Sequence, residues 1–295
     1  MHPNSARAPC ETFSLVTLTG LFLILIVSVV VAVVSMLLVR SRAPVGGFFT
    51  DSDRAAGIFG VTGTGFAVFL AFVIFLSFES YDRARESASI EAVATTELFR
   101  IVQLFPDEPR VQLHGQLVCY ARSVIGHEWE AMREQRESPV VQSWVVRLER
   151  TIEGIELRNQ KQGIAYGQWF DRASERREGR RGRLAEAFPY VPSVVWAALI
   201  LGGLLLLIYV CFFADRGERW LVQALMMATV TAMVVTGLLL VRFLDRPYER
   251  SGGIKPRAMR TTLAVMERES ERLGPQGSIP CDDAGTPLAL RRATR

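Results

Sequence analysis

GIFGVTGTGFAVFLAFVIFLSF, residues 57–78, is followed without a break by ESYDRARESASIEAVATTELFRIVQLF, residues 79–105. The first segment carries no charge and is long enough to cross a bilayer, where ~20 apolar residues span ~30 Å of hydrocarbon. The second is charged, yet Ile90, Val93, Ala94, Leu98, Ile101, Val102 and Phe105 keep the spacing of one face of a 3.6-residue helix. From Gly65 to Pro106 neither Gly nor Pro interrupts the chain. The pair reads as one helix that leaves the membrane and continues in water.

Three further apolar blocks accompany it: Leu15 to Val39, Val191 to Phe213 and Trp220 to Leu244. They account for a chain of 295 residues that is 49% hydrophobic, with a mean hydropathy of +0.22. The first block is too long for the core of a cleavable leader and is followed by Arg40-Ser41-Arg42 rather than a small-residue cleavage site, so it reads as a retained span. Asp53 stands at the expected N-cap of the second span. Gly57, Gly60, Gly63 and Gly65 would let other helices come close to it. The last two blocks, joined by a few residues around Asp215, form an antiparallel hairpin, with Trp220 at one interface and Arg242 placed to snorkel at the other.

Between the second and third spans lies a water-soluble insertion. Leu113, Leu117, Tyr120, Ala121 and Val124 form an apolar face in one run. Val141, Trp144, Val145, Leu148, Ile152 and Ile155 form another after Ser138-Pro139. No alternating strand pattern competes with this reading. Gln160 to Arg183 looks less helical, because Gly163, Gly167, Gly179 and Gly182 weaken it. Its arginines, Arg176, Arg177, Arg180, Arg181 and Arg183, read as a juxtamembrane cluster.

The fold class is therefore an all-α membrane protein, with four transmembrane helices, two plus two, flanking a helical bundle. Residues 1–14 form a flexible N-terminus and 15–78 hold transmembrane helices 1 and 2. Residues 79–189 are the insertion, 190–244 the hairpin, 245–274 a C-terminal segment with a short helix near Ala258 to Leu273, and 275–295 a disordered tail. An even number of spans puts both termini and the insertion on one side. That side holds most of the arginines next to membrane ends, so the expectation is a cytoplasmic bundle and cytoplasmic termini in a bacterial inner membrane.

Motifs that carry chemistry are scarce. The net charge of +4 is nearly all arginine and lacks interleaved aromatics, which argues against nucleic acid as a partner. Cys10, Cys119, Cys211 and Cys281 have no metal-ligand spacing and read as incidental or buried thiols in a reducing compartment. His2, His114 and His127 form no metal or catalytic motif, and His127-Glu128 reads as a solvated helix face. Asp282-Asp283 is too small for a calcium site. The expectation is a protein that is not an enzyme and needs no cofactor or metal.

Within the second span Phe66, Phe69, Phe72, Phe75 and Phe78 recur every third residue. That spacing drifts about 60° per step on an α-helix, so the five cannot share one face. Some pack against neighbouring helices; others can form a hydrophobic constriction. Glu79, where the span ends, is a candidate vestibule carboxylate.

Several segments resemble bacterial bestrophin-like membrane proteins, relatives of the bestrophin anion channels. They are Phe72-Val73 through Tyr81-Asp82, Glu91-Ala92 with Leu98, Arg183-Leu184, Pro192 before Val195-Trp196, and the turn Asp245-Arg246-Pro247-Tyr248 with Lys255-Pro256. The resemblance covers about Gly57 to Glu269. It implies a bestrophin-type helical fold, a homo-oligomer such as a pentamer around a pore lined by the second helix, and a small anion as the permeant partner, with Phe66, Phe69 and Phe72 as candidates for the pore constriction. Tyr81, Glu91, Asp245, Pro247 and Pro256 are the family-like positions. The acidic calcium clasp of bestrophins is absent. The competing reading is a non-conducting membrane scaffold or sensor whose cytoplasmic bundle binds a partner.

Overall fold

The computed structural model describes residues 10–249, 253–272 and 279–288. The chain divides into a span unit, Met1–Ser80 with Pro189–Arg246, and a bundle unit, Tyr81–Phe188 with Pro247–Arg295. Helix α2 (Ser52–Val102) supplies residues to both, so the expected continuous helix is present. Its first turn is capped two residues earlier than expected, by Asp51, whose Oδ1 accepts from the Arg54 N–H at 2.9 Å.

The span unit contains α1 (Cys10–Arg42), the first part of α2, α7 (Ser193–Cys211) and α8 (Trp220–Leu244). Four helices among the described residues are long and apolar enough to cross a membrane. Helix α1 begins within the segment expected to be flexible, and Met1 to Pro9 lie outside the described residues. The helices meet through small residues. A Cβ on Gly202 would lie 2.8 Å from the Phe66 ring, and one on Gly237 would lie 2.6 Å from Leu70. Met36 of α1 is buried with Met227 of α8, and Val73 with Leu199 and Val241.

Outside the spans, the α1–α2 and α7–α8 connections are tied together. Arg40 donates to the Glu218 carbonyl at 2.6 Å and the Arg216 carbonyl at 3.1 Å. Asp215 Oδ1 accepts from the N–H groups of Gly217 (2.8 Å) and Gly46 (2.9 Å), which hold its carboxyl below the usual range.

The bundle unit packs the second part of α2 with α3 (Asp107–Ser123), α4 (Trp129–Arg133), α5 (Pro139–Glu153), α6 (Gln160–Ala185) and α9 (Arg257–Arg272). One π-helical turn, Val124–Glu128, joins α3 to α4. Leu98, Leu113, Leu117, Trp144, Ile152 and Trp169 belong to its core. Thus the apolar faces read for α3 and α5 are the buried ones. The stripe read for α2 is too wide at its start: Ile90 and Val93 remain exposed while Ala94, Leu98 and Val102 are buried.

Residues 160–183, expected to be poorly helical, form the 26-residue α6 with two following residues. Asn159 caps it, its side chain accepting from the Gln162 N–H at 2.9 Å. Gly179 and Gly182 are there for a close crossing rather than as breaks. A Cβ on Gly179 would stand 2.5 Å from the Glu91 backbone nitrogen, and one on Gly182 would stand 2.5 Å from Ser87 Oγ.

Two expectations about the C-terminal part are overturned. Residues 279–288, placed within a disordered tail, form a defined turn. Cys281 bridges antiparallel to Pro287, and the Trp144 indole donates to the Gly285 carbonyl at 2.7 Å. Cys119 and Cys281, read as separate reduced thiols, are joined in a disulfide across a sequence separation of 162. The turn fits because Gly115 and Gly126 of the α3 region leave room for Pro280 and Ala284. The remaining residues of the tail, 275–278 and 289–295, lie outside the described residues.

The glycines of α6 give a direct test. Gly179→Ala should destabilise the purified protein by about 1–3 kcal/mol through overpacking against α2. Gly167→Ala, with nothing within 4 Å of the added methyl, should be neutral or stabilising by up to ~1 kcal/mol. Thermal unfolding of the two variants in detergent distinguishes these outcomes; equal effects would refute the crossing argument.

Candidate functional site

Arg176, Arg180 and Arg183 are separated by four and three residues, so they fall on one face of α6. That face points into the bundle. Arg176 is 3% exposed, Arg180 8% and Arg183 0%, which overturns the reading of the whole cluster as a membrane-surface stretch.

Arg183 sits between two carboxylates. Its Nε donates to Glu91 Oε2 at 2.6 Å, and its Nη2 donates to Glu91 Oε1 at 3.0 Å and to Glu128 Oε2 at 2.6 Å. Arg180 holds the other side of Glu128, with Nη2 to Oε1 at 2.6 Å, and donates from Nη1 to Gln142 at 2.9 Å. The Tyr120 hydroxyl donates to Glu91 Oε1 at 2.6 Å. Arg183 also lies 5.0 Å from the centre of the Trp129 ring, and Arg176 lies 4.8 Å from that of Tyr120.

The electrostatics follow from burial. Glu128 is fully buried, which disfavours its charge, but Arg183 and then Arg180 more than offset this and hold its carboxyl below the usual range. Burial likewise works against the Arg183 charge, yet Glu91 and Glu128 hold its proton well beyond the ordinary arginine range. The Tyr120 hydroxyl is pushed up, first by burial and then by Glu91. The network therefore pairs an ionised Glu128 with protonated Arg180 and Arg183, while Tyr120 keeps its proton. Among the described residues no three His, Cys, Asp or Glu side chains gather as a metal site would require.

The family-like positions fall into different roles. Glu91 is in the network. Asp245, in the span unit, accepts from the Val191 N–H at 2.7 Å and the Trp196 indole at 3.3 Å, fixing the entry to α7. In the bundle unit, Pro247 and Pro256 are buried and Tyr81 is half-buried. Tyr248 donates to the Ala84 carbonyl at 3.0 Å.

The proposed constriction residues also separate. Phe66 packs against α7 at Gly202 and Gly203, while Phe69 and Phe72 are 37% and 58% exposed. Glu79 is exposed. The structure thus brings no site together around all three phenylalanines. What sequence reasoning missed is Glu128, taken for a solvated residue, together with Tyr120 and the inward arginines. The four-and-three spacing of Arg176, Arg180 and Arg183 was the available signal.

Removing one carboxylate tests the network. Glu128→Gln keeps the shape but leaves Arg180 and Arg183 short of charge, and should cost about 3–5 kcal/mol at neutral pH. Because the folded Glu128 carboxyl titrates below its unfolded value, its contribution is full above about pH 4.5 and is lost as pH falls through the folded value. Thermal unfolding at neutral and acid pH should therefore show a smaller acid-induced loss in the variant than in the parent. An unchanged profile would sink the assignment.

The chain matches the Bestrophin-like domain family over residues 16–259. Its fold is similar to the crystal structure of a bacterial bestrophin homologue from Klebsiella pneumoniae. The TM-score is 0.64 at 16% identity, covering 86% of this chain and 98% of that one. A point-substituted form of the Klebsiella pneumoniae homologue gives 0.64 at 15% identity, with 85% and 99% covered. No curated protein matches. With four apolar helices and a Bestrophin-like match across most of its length, this chain is an all-α membrane protein belonging to the Bestrophin-like family.

Proposed function

We propose that several copies of this chain assemble into a passive anion channel lined by α2. The observation that carries this reading is the exposure of that helix. Only 6% of its most apolar window is buried within the chain, against 22% for α7 and α8. In the bundle unit, Ile90 and Val93 of the same helix are exposed as well. Lipid can cover the first region but not a face in water, where a second copy is the simplest cover. Family membership supports the same assembly, as does the absence of any acidic or basic residue between Ile58 and Phe78.

Within α2, Phe69 and Phe72 are the constriction candidates that retain exposed rings. They differ by about 60° around the helix and can share one pore-facing side. Phe66 is occupied by packing against α7.

Phe69→Ala with Phe72→Ala should raise chloride flux through reconstituted liposomes several-fold while leaving assembly intact. Phe66→Ala should instead lower thermal stability. Particles with the mass of one chain, or parent flux equal to that of empty liposomes, would defeat the channel reading and leave the scaffold or sensor as the better one.

The bundle unit and both termini are assigned to the cytoplasmic side of a bacterial inner membrane. The support is the distribution of basic residues: Arg83, Arg85, the exposed Arg177 and Arg181, Arg246, Lys255 and Arg257 against Arg40, Arg42, Arg54, Arg216 and Arg219. The disulfide pulls the other way, since such bonds persist in oxidising compartments. Both of its cysteines are buried, Cys119 at 0% and Cys281 at 6%, so access to soluble reductants is restricted. Reporter fusions after Arg42 and Arg216 should score as external; cytoplasmic scores would invert the orientation.

A further inference from the structure

A cleft beside the buried network, between α5, α6 and the α4–α5 loop, has a volume of about 490 Å³. Arg136, Arg176, Arg177, Arg180 and Arg181 line it, opposed by Glu137 and Glu149, while Arg180 and Arg136 are also paired with Glu128 and Glu134 behind it. All of these residues belong to the bundle unit. We propose that this cleft binds a phosphate monoester.

The carboxylates of the network are fully engaged by Arg180, Arg183 and Tyr120. Arg176 is left over. It is 3% exposed, its Nη1 has no hydrogen-bond partner, and its guanidinium stacks on Tyr120. A buried guanidinium nitrogen without an acceptor is costly, and a bound oxyanion would supply the acceptor.

Its neighbours are also lightly held. Arg177 reaches Glu149 only at 3.7 Å, with both side chains nearly half exposed. Arg181 is exposed and has no carboxylate partner among the described residues. Planar guanidinium groups on successive turns suit a tetrahedral dianion, which accepts forked hydrogen bonds through several oxygens. The cleft is much larger than a phosphate ion and has an apolar wall of Val145, Leu184, Ala187 and Phe188. That wall suits an organic substituent on the phosphate.

A phosphate ester can come from a soluble metabolite or from a lipid headgroup. Phe188 lies directly before the span unit in sequence, so both sources need testing. The proposal does not depend on conduction, because binding is measured without flux.

The test is calorimetric titration of the full chain in neutral detergent at constant ionic strength. The probes are inorganic phosphate, phenyl phosphate and dihexanoyl phosphatidic acid below its micelle concentration. Phenyl phosphate or the short lipid should bind saturably and more tightly than inorganic phosphate, and whichever binds identifies the source. Arg181→Gln and Arg177→Gln, both at exposed positions, should each weaken that binding roughly tenfold or more. Arg172→Gln, on the same helix but paired with Glu175 away from the cleft, should leave it unchanged. The proposal is overturned if neither ester binds, or if Arg172→Gln weakens binding as much as Arg181→Gln does. Parent-like affinity in Arg181→Gln and Arg177→Gln would overturn it equally.

Discussion

The bundle unit depends on one guanidinium shared between two carboxylates. Arg183 is fully buried, and so are Glu91 and Glu128. Its donors join α6 to α2 and to the π-helical turn after α3 through carboxylates 92 and 55 positions away in the chain. Apolar side chains could fill the same volume and need not be less stabilising. They would not dictate which turn of α6 meets which turn of α2. The ionic arrangement admits one register, because a slip of one residue leaves at least one buried charge unpaired. The glycines enforce the same register sterically: Gly179 faces Glu91 and Gly182 faces Ser87. The π-helical turn belongs to this device as well, since it places Glu128 between Arg180 and Arg183.

Much of this architecture is legible in the sequence wherever the signal is periodic. The four spans, the run-on of α2 into water, the start of α5 at Pro139 and the apolar faces of α3 and α5 all follow from spacing alone. The signal fails where one residue type has two physical meanings. Glycine weakens an isolated helix, but it also permits two helices to touch, and nothing in residues 160–183 reveals that α2 passes so close that a Cβ on Gly179 would clash with its backbone. Arginines near a membrane satisfy topology and can also neutralise buried acids. Only the four-and-three spacing of Arg176, Arg180 and Arg183 hints at the second role. The partner of Cys119 was hidden for a simpler reason: nothing local connects it to a residue 162 positions away.

The phenylalanine repeat of α2 shows how far a pattern can be carried. Its drift excluded a single stripe, and the five rings indeed differ in environment. Phe66 is consumed by α7, whereas Phe69, Phe72, Phe75 and Phe78 remain exposed within one chain. A repeat that looked like one feature therefore divides between holding the span unit together and meeting something outside it.

The bond between Cys119 and Cys281 has a topological consequence. It closes a covalent ring that includes α4, α5 and α6 and the entire hairpin of α7 and α8. During synthesis Cys119 emerges early, and its partner follows only after the last span has been made. Ring closure is therefore a late event that requires the final two helices to have been delivered to the bilayer first. Since the bilayer already restrains those helices, the free-coil value of about 5 kcal/mol for so long a loop is a ceiling. The ring's larger effect is on chain integrity. A single backbone cut between the two cysteines releases nothing, because the pieces stay tethered through sulfur.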